Sequence, residues 1–401
     1  MSSSGTRTIV SDGTRTQLFA EDIFGSLQRS EQRRWARAYL WALTHVSGKK
    51  TPRQLARAES LPSSAVNGLN QFINGSPWDW RPVRSRLAQW VSANAAPYAW
   101  TVTELIIPKN GEHSVGVHHR VDATTGRTVN CQRAVGLFLA TGTGCFPVDW
   151  SLVLSGPWGW DVERRLRARV PKAEQARPAG AHVVDYAASV LAQPQLPRVP
   201  WVLDLTRCED ASGVLAGLAR QGVDMVCEVD PDQVVLIGRH TPTVSTVGAL
   251  MEMRHARKPH AMMRQTQGGH TKVVPLHSYT GIVRLPQLDI DGEGNSRTYR
   301  VLERPDPDGR QPARYWITSL VDRDVEEVLA LVRGRAATLA AVTTMRERFG
   351  VLDFEGRSFP GWHHHMTMAS AAYIYQHLHA APHSVPLTPT LSQPELIGTA
   401  G

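Results

Sequence analysis

The chain has 401 residues, 42% of them hydrophobic and 20% charged, with a formal net charge of +8. Such a composition excludes collagen, coiled coil and wholesale disorder, and the length suffices for two or three domains. The positive excess favours a polyanionic partner, nucleic acid ahead of an anionic membrane, because no amphipathic anchor is visible. No apolar run approaches the roughly 18 residues of a membrane span. The polar stretch Met1–Val10 lacks the apolar core of a secretory signal, so a cytoplasmic protein without a membrane partner is expected. Cys131, Cys145, Cys208 and Cys227 are far apart and form no C-x-x-C pair, which argues against a disulfide framework and a zinc site.

The charge is concentrated at the start: residues 1–100 carry thirteen Lys or Arg against six Asp or Glu. This part reads as helical. Ser30 suits a helix N-cap, and the apolar face Trp35, Ala38, Tyr39, Leu40 and Leu43 continues to a stop at Gly48. Thr51-Pro52 is a second start, Leu61-Pro62-Ser63-Ser64 a turn, and Ala65 to Ile73 a further helix. That spacing is the one a DNA-reading helix-turn-helix uses, and equally that of a helical bundle with a solvated basic face. The basic side chains Arg33, Arg34, Arg37, Lys49, Lys50, Arg53 and Arg57 are the DNA-binding candidates here. Trp78 and Trp80 read as packing anchors of a linker, with base stacking as the alternative.

From Ala99 the pattern becomes β-rich. Trp100 to Ile107, Ser114 to Arg120 and Thr128 to Leu139 read as an antiparallel meander, with a turn at Thr124-Thr125-Gly126. Residues 161–195 look helical, Val199 to Leu205 is a buried strand, and Arg207 to Gln221 is the helix after it. Val223 to Glu228 and Gln233 to Ile237 are further strands, and residues 240–300 a β-type insertion. Val325 to Phe349 reads as a helix interrupted at Gly334, Met366 to Leu378 as another, and the Pro-rich stretch after Ala381 as a disordered tail. Asp204, Arg207, Cys208 and Glu209 cluster at the end of the buried strand, where sheet-based sites collect, and could form a repurposed chemical site. Lys109 and Arg120 border the same region, either on phosphates or as ordinary surface charges. The run His363-His364-His365 does not chelate well from one helix, so no metal is assigned to it.

Several segments carry a resemblance. Phe72-Ile73-Asn74-Gly75-Ser76-Pro77-Trp78-Asp79-Trp80, Ile107-Pro108-Lys109-Asn110-Gly111-Glu112-His113-Ser114-Val115-Gly116-Val117, Val129-Asn130-Cys131-Gln132, and Phe354-Glu355-Gly356-Arg357-Ser358-Phe359-Pro360-Gly361-Trp362-His363-His364-His365 resemble the DDE-superfamily endonuclease transposases of bacterial insertion sequences. The resemblance implies an α+β or α/β architecture: a helical, basic, DNA-binding domain over 1–95, then a ribonuclease-H-like domain over 96–238 and 301–380. A β-rich insertion over 239–300 interrupts that domain, and a disordered tail over 381–401 follows it. It also implies a nucleoid-associated protein with DNA as partner, and a homodimer as a candidate assembly.

The family's chemistry needs three carboxylates around two divalent ions. Carried over residue by residue, their positions fall on Thr103, Asp204 and Leu339, with Arg335 and Ala336 at the Arg-Trp of the third motif and Arg346 seven residues on. Only Asp204 is a carboxylate. Thr206-Arg207-Cys208 stands where the family has a Gly-Tyr-Gly-type turn. Glu104 should face the other side of its strand unless a bulge re-aims it, and Glu355 reads as a turn carboxylate paired with Arg357 or capping a helix. The expectation is therefore a degenerate or domesticated transposase-like protein that binds DNA without cutting it. No cofactor is expected, and Mg or Mn only if the site is active. The alternative is a host enzyme using the old cleft around Asp204 for small-molecule chemistry.

Overall fold

The computed structural model describes residues 12–379 apart from 59–60, 62–63, 122–125, 239–240, 254–256, 268–269, 287–296 and 307–309, together with 396–397. The turn residues 62–63 and 124–125, the segment 1–10 and the Pro-rich tail, residues 396–397 excepted, lie outside the described residues.

The chain opens with α1 (Asp12–Phe24), α2 (Ser30–His45), α3 (Pro52–Leu55), α4 (Ala65–Asn70) and α5 (Trp80–Asn94). Helix α4 runs on into a π-helical turn, Gln71–Gly75. Local chemistry sets the boundaries. The Thr51 side chain accepts from the Gln54 amide with Pro52 in the first turn, and Asp79 accepts from the Arg81 amide to start α5. Helix α2 already begins at Ser30, with Arg29 in the capping position, and ends at His45 rather than at Gly48.

The main sheet has the order β14–β9–β10–β12–β13–β6–β5–β1–β3–β2, with β4 also on β3. Its strands are β1 (Pro97–Pro108), β2 (His118–Val121), β3 (Thr128–Thr141), β4 (Gly144–Val153), β5 (Trp201–Asp204), β6 (Met225–Val229), β9 (Arg257–Gln267), β10 (His270–Tyr279), β12 (Arg300–Arg304), β13 (Arg314–Thr318) and β14 (Leu396–Ile397). Strands β7 (Val234–Ile237), β8 (Thr243–Thr246) and β11 (Val283–Arg284) form a small second sheet. Strand β1 is parallel to β5, and β5 to β6. The expected meander is corrected: β1 pairs with β3, and β2 and β4 share the far edge of β3. Its second strand is only His118–Val121, because Ser114 to Val117 turn, with Gly116 at φ 74°.

The remaining helices are α6 (Val162–Arg167), α7 (Ala179–Leu191), α8 (Ala211–Arg220), α9 (Val247–Glu252), α10 (Val325–Arg348) and α11 (Phe359–Ile374). The helical reading of 161–195 thus splits in two, since Pro171 and Pro178 cannot serve a helix interior. Helix α8 starts at Ala211 because the Asp210 carboxylate accepts from the Gly213 amide. Helix α10 is unbroken at Gly334, which instead lets it approach β1: a Cβ there would lie 3.3 Å from Thr101 Cγ2. Among the described residues α10 alone is long and apolar enough to cross a membrane, and it packs on β1, β4 and β5. The four cysteines are free.

Helix α11 is buried from Gly361 to Ile374 and packs on β4, α2, α5 and the π-helical turn. Its histidines are packing residues. His364 stacks on Trp78 at 3.9 Å, with Nδ1 2.8 Å from Ile73 O and Nε2 2.8 Å from Trp78 O. Two carbonyls favour a doubly protonated ring, but burial outweighs them and pulls the pKa to about 4, so the neutral ring donates one N–H. His365 faces Gly350 O at 2.7 Å through Nε2, and His363 stacks on Trp80 at 4.4 Å. Trp78 and Trp80 are packing anchors.

Buried Arg84 of α5 ties the bundle to the sheet. It donates through Nε to Thr367 Oγ1 (2.7 Å), through Nη1 to Asp149 Oδ1 (2.7 Å) and Trp150 O (2.6 Å), and through Nη2 to His363 O (2.9 Å). Replacing it removes four hydrogen bonds at once and leaves Asp149 without its cation, so Arg84→Met lowers unfolding free energy by about 3 kcal/mol. A urea titration reads this as an earlier midpoint, and an unchanged midpoint refutes the clamp. Burial also holds His365 and His182 at a pKa of about 4, against an ordinary 6.5. Between these values the unfolded chain binds more protons than the folded one, so stability is full above pH 6.5 and falls as pH drops towards 4. Urea midpoints across that window decline less steeply in His365→Gln than in the wild type.

Candidate functional site

Strand β1 pairs with β5 only at Trp100–Trp201 and Thr101–Val202, so from Val102 onward its edge opens into a cavity of about 920 Å³. Carrying the parallel register on by two residues sets Thr103 level with Asp204, and β5 sets Asp204 beside Glu228 of β6. Helix α10 lies over this row: the Thr101 and Thr338 hydroxyls are 2.5 Å apart, and Leu339 follows, 46% exposed. The cavity lining thus includes Thr103, Asp204 and Leu339 together, along with Arg207, Cys208, Arg335 and Arg346.

Cross-strand partners share a face. Glu104 registers with Val135 and Ser151, and Ser151 Oγ accepts from Tyr186 of α7. Thr103 registers with Gly136 and Trp150, and Trp150 donates to Ser370 of α11. Thr103 and Glu104 therefore face opposite sides, and the β1/β3 pair is irregular only at Pro97/Ala99, so no bulge re-aims Glu104. The Glu104 carboxylate is held by Arg133 at 2.6 and 2.8 Å and approached by Arg120 at 3.9 Å.

Asp204 is fully engaged. Its Oδ1 accepts from the Thr206 amide (3.0 Å) and hydroxyl (2.7 Å), and its Oδ2 from Arg335 Nη2. Arg335 reaches Glu228 Oε2 through Nη1 at 3.3 Å, and Arg314 donates to both Glu228 oxygens. The result is a network of two carboxylates and two guanidiniums spanning β5, β6, β13 and α10. Just beyond it, burial together with Asp232, Asp204 and Glu228 pushes the Asp230 carboxyl pKa up. Sequence reasoning missed Glu228, although it lies near the end of a buried strand, as Asp204 does.

Of the other candidates, Arg207 and Cys208 share this cavity, and the basic residues of the N-terminal helices and Glu355 do not line it. Lys50 does not offer its charge to DNA: it is buried, and its ammonium donates to Leu43 O (3.0 Å) and Val46 O at the end of α2. Half-buried Lys109 donates to Phe354 O at 2.6 Å, and burial pulls its pKa to about 8. Exposed Glu355 lines a separate cavity of about 310 Å³ with Lys49 and Lys109. Arg33, Arg34, Arg37, Lys49, Arg53 and Arg57 are exposed; Arg34 is 3.8 Å from Glu31 and Arg37 3.6 Å from Glu21. Arg207 and Glu209 are exposed, and burial pushes the half-buried Cys208 thiol pKa up.

The sequence profile of the DDE superfamily endonucleases matches residues 22–269, more than half of the chain. The chain belongs to this family. No curated protein matches it. Thr103 and Asp204 lie inside the matched span, and Leu339 lies beyond it. DDE endonucleases act on DNA and use Mg or Mn held by carboxylates. The residues that the resemblance sets at the metal positions do not fit such a pair: the Thr103 hydroxyl and the Leu339 aliphatic chain carry no negative charge, and Asp204 already accepts from Arg335 and Thr206. Among the described residues no three His, Cys, Asp or Glu side chains are grouped to hold a metal.

The Arg335–Asp204 contact should register as coupling. In a double-mutant cycle of Arg335→Ala and Asp204→Asn, each change alone costs about 2 kcal/mol and the pair costs less than the sum by about 1 kcal/mol. Additive losses in chemical denaturation mean that the two side chains do not interact.

Proposed function

We propose that this DDE-family chain is a DNA-holding protein that neither cuts nor joins strands, a domesticated or degenerate descendant of an insertion-sequence transposase. The observation that carries the reading is the row Thr103, Asp204, Leu339 on one cavity, where one carboxylate remains and Arg335 is its partner. The order β4–β3–β1–β5–β6, with β1, β5 and β6 parallel and α10 laid across them, is consistent with a ribonuclease-H-like body. The β-rich stretch β8 to β12 fits an insertion into that body, and α1 to α5 fit a DNA-binding module. Arg33, Arg34, Arg37, Lys49, Arg53 and Arg57 supply the phosphate contacts in this reading.

The small-molecule alternative built on Cys208 gains nothing from its surroundings, because a thiol whose pKa is raised by burial is a poorer nucleophile.

Incubated with Mg or Mn, the wild-type chain leaves supercoiled DNA from its own locus intact while retarding it at low salt. Nicking that disappears in Asp204→Ala overturns the inactivity. In Thr103→Asp/Leu339→Glu the carboxylate set is restored, and Mn raises the melting temperature of that variant but not of the wild type.

A further inference from the structure

The exposed face of α4 and its π-helical extension is made of amides. Leu69, Phe72 and Ile73 turn inward, and Trp35 of α2 packs on Gly68 so closely that a Cβ there would lie 1.9 Å from the indole. The outward positions are Val66, Asn67, Asn70 and Gln71, spaced as neighbours on one helix face. None is charged. A merely solvated face of a basic segment would be expected to carry Lys, Arg or Glu, whereas Asn and Gln are the side chains whose paired donor and acceptor match adenine N7 and N6 in the major groove.

Two of these amides have neighbours on the same helix. Asn74 Nδ2 donates to Asn70 Oδ1 at 2.8 Å, which orients the Asn70 amide. Gly75 has no Cβ, which leaves room for the Gln71 amide one turn before it. Behind them Ile73 O meets His364 Nδ1 of the core, and Asn74 O accepts from the exposed Arg169, so the helix is held at both positions. Preorganised groups on a rigid element are what base reading requires. Helix α3 packs against α4, and Arg53 on it and Arg57 in the turn after it are exposed cations of the same helical segment.

We infer that Asn67, Asn70 and Gln71 are the base-reading residues of this protein. They enter a DNA major groove and select adenine, while Val66 lies against a thymine methyl and Arg53 and Arg57 hold the flanking phosphates. The inference rests on the DNA-holding reading above and adds what that reading lacks, the origin of sequence preference.

The test selects binders for the full chain from a duplex pool with a randomised centre. Affinities for a selected duplex and for random duplex are then measured across a salt series. The wild type enriches A·T pairs and prefers the selected duplex. Asn67→Ala/Asn70→Ala/Gln71→Ala loses at least about tenfold of that preference and keeps its affinity for random duplex. Arg53→Ala/Arg57→Ala weakens both duplexes alike and reduces the slope of log affinity against log salt by roughly 2. Asn67→Ala alone, at an exposed side chain, lowers the preference with an unchanged melting temperature and so separates reading from folding. A wild type that binds DNA with no preference, or a triple variant that keeps it, overturns the inference and leaves the DNA-holding reading standing. A wild type that binds no duplex at low salt overturns both.

Discussion

Helix α11 is the constraint on which the rest depends. A helix buried on every side has no solvent to satisfy its polar groups, so they draw partners from neighbouring elements, and all but a few, such as Trp362 Nε1 and His363 Nε2, find one. His363 receives Arg84, His364 meets Ile73 and Trp78, His365 meets Gly350, Thr367 accepts from Arg84, and Ser370 accepts from Trp150. Those partners come from α5, the π-helical turn, β4 and the loop after α10. Satisfying one helix therefore fixes the pose of the N-terminal helices on the sheet. The basic α3 and the amide face of α4 are held against the same core as the cavity, rather than tethered to it.

In the cavity, two carboxylates on adjacent strands are bridged by guanidiniums. Parallel pairing of β1, β5 and β6 still brings Thr103, Asp204 and Glu228 to one level, and α10 still crosses above them. An acidic pair on adjacent strands repels unless something positive stands between, and here Arg335 does so, with Arg314 on the outer side. A guanidinium fork can bridge two carboxylates with directed hydrogen bonds, but it offers neither the activated water nor the leaving-group stabilisation of a metal pair. In the proposed reading, the same geometry keeps the fold and loses the reaction.

Much of this was legible in the residues. The apolar run ending in Asp204 reads as a buried strand, Thr51-Pro52 as a helix start, and the motifs at Phe72 to Trp80 and Ile107 to Val117 lead to the family that matches residues 22–269. Counting along motifs placed Thr103 and Leu339 on positions that the fold brings to one cavity. What the sequence hid was tertiary. The pairing of β1 with β3 skips a strand, and alternation along one strand cannot say which strand lies beside it. Gly334 reads as a helix break, yet it serves a close approach to Thr101. Lys50 counts as surface charge until the end of α2 is seen to need a donor, and Glu228 is unremarkable until β6 lies beside β5.

The central claim is that the cavity holds an ion pair where the family holds metal. Its most direct test is a crystal of the protein with duplex DNA and Mn, read by anomalous scattering. The account predicts no manganese peak between Thr103, Asp204 and Leu339, with Arg335 still on Asp204. Manganese bound to Asp204 with Arg335 swung away would contradict it.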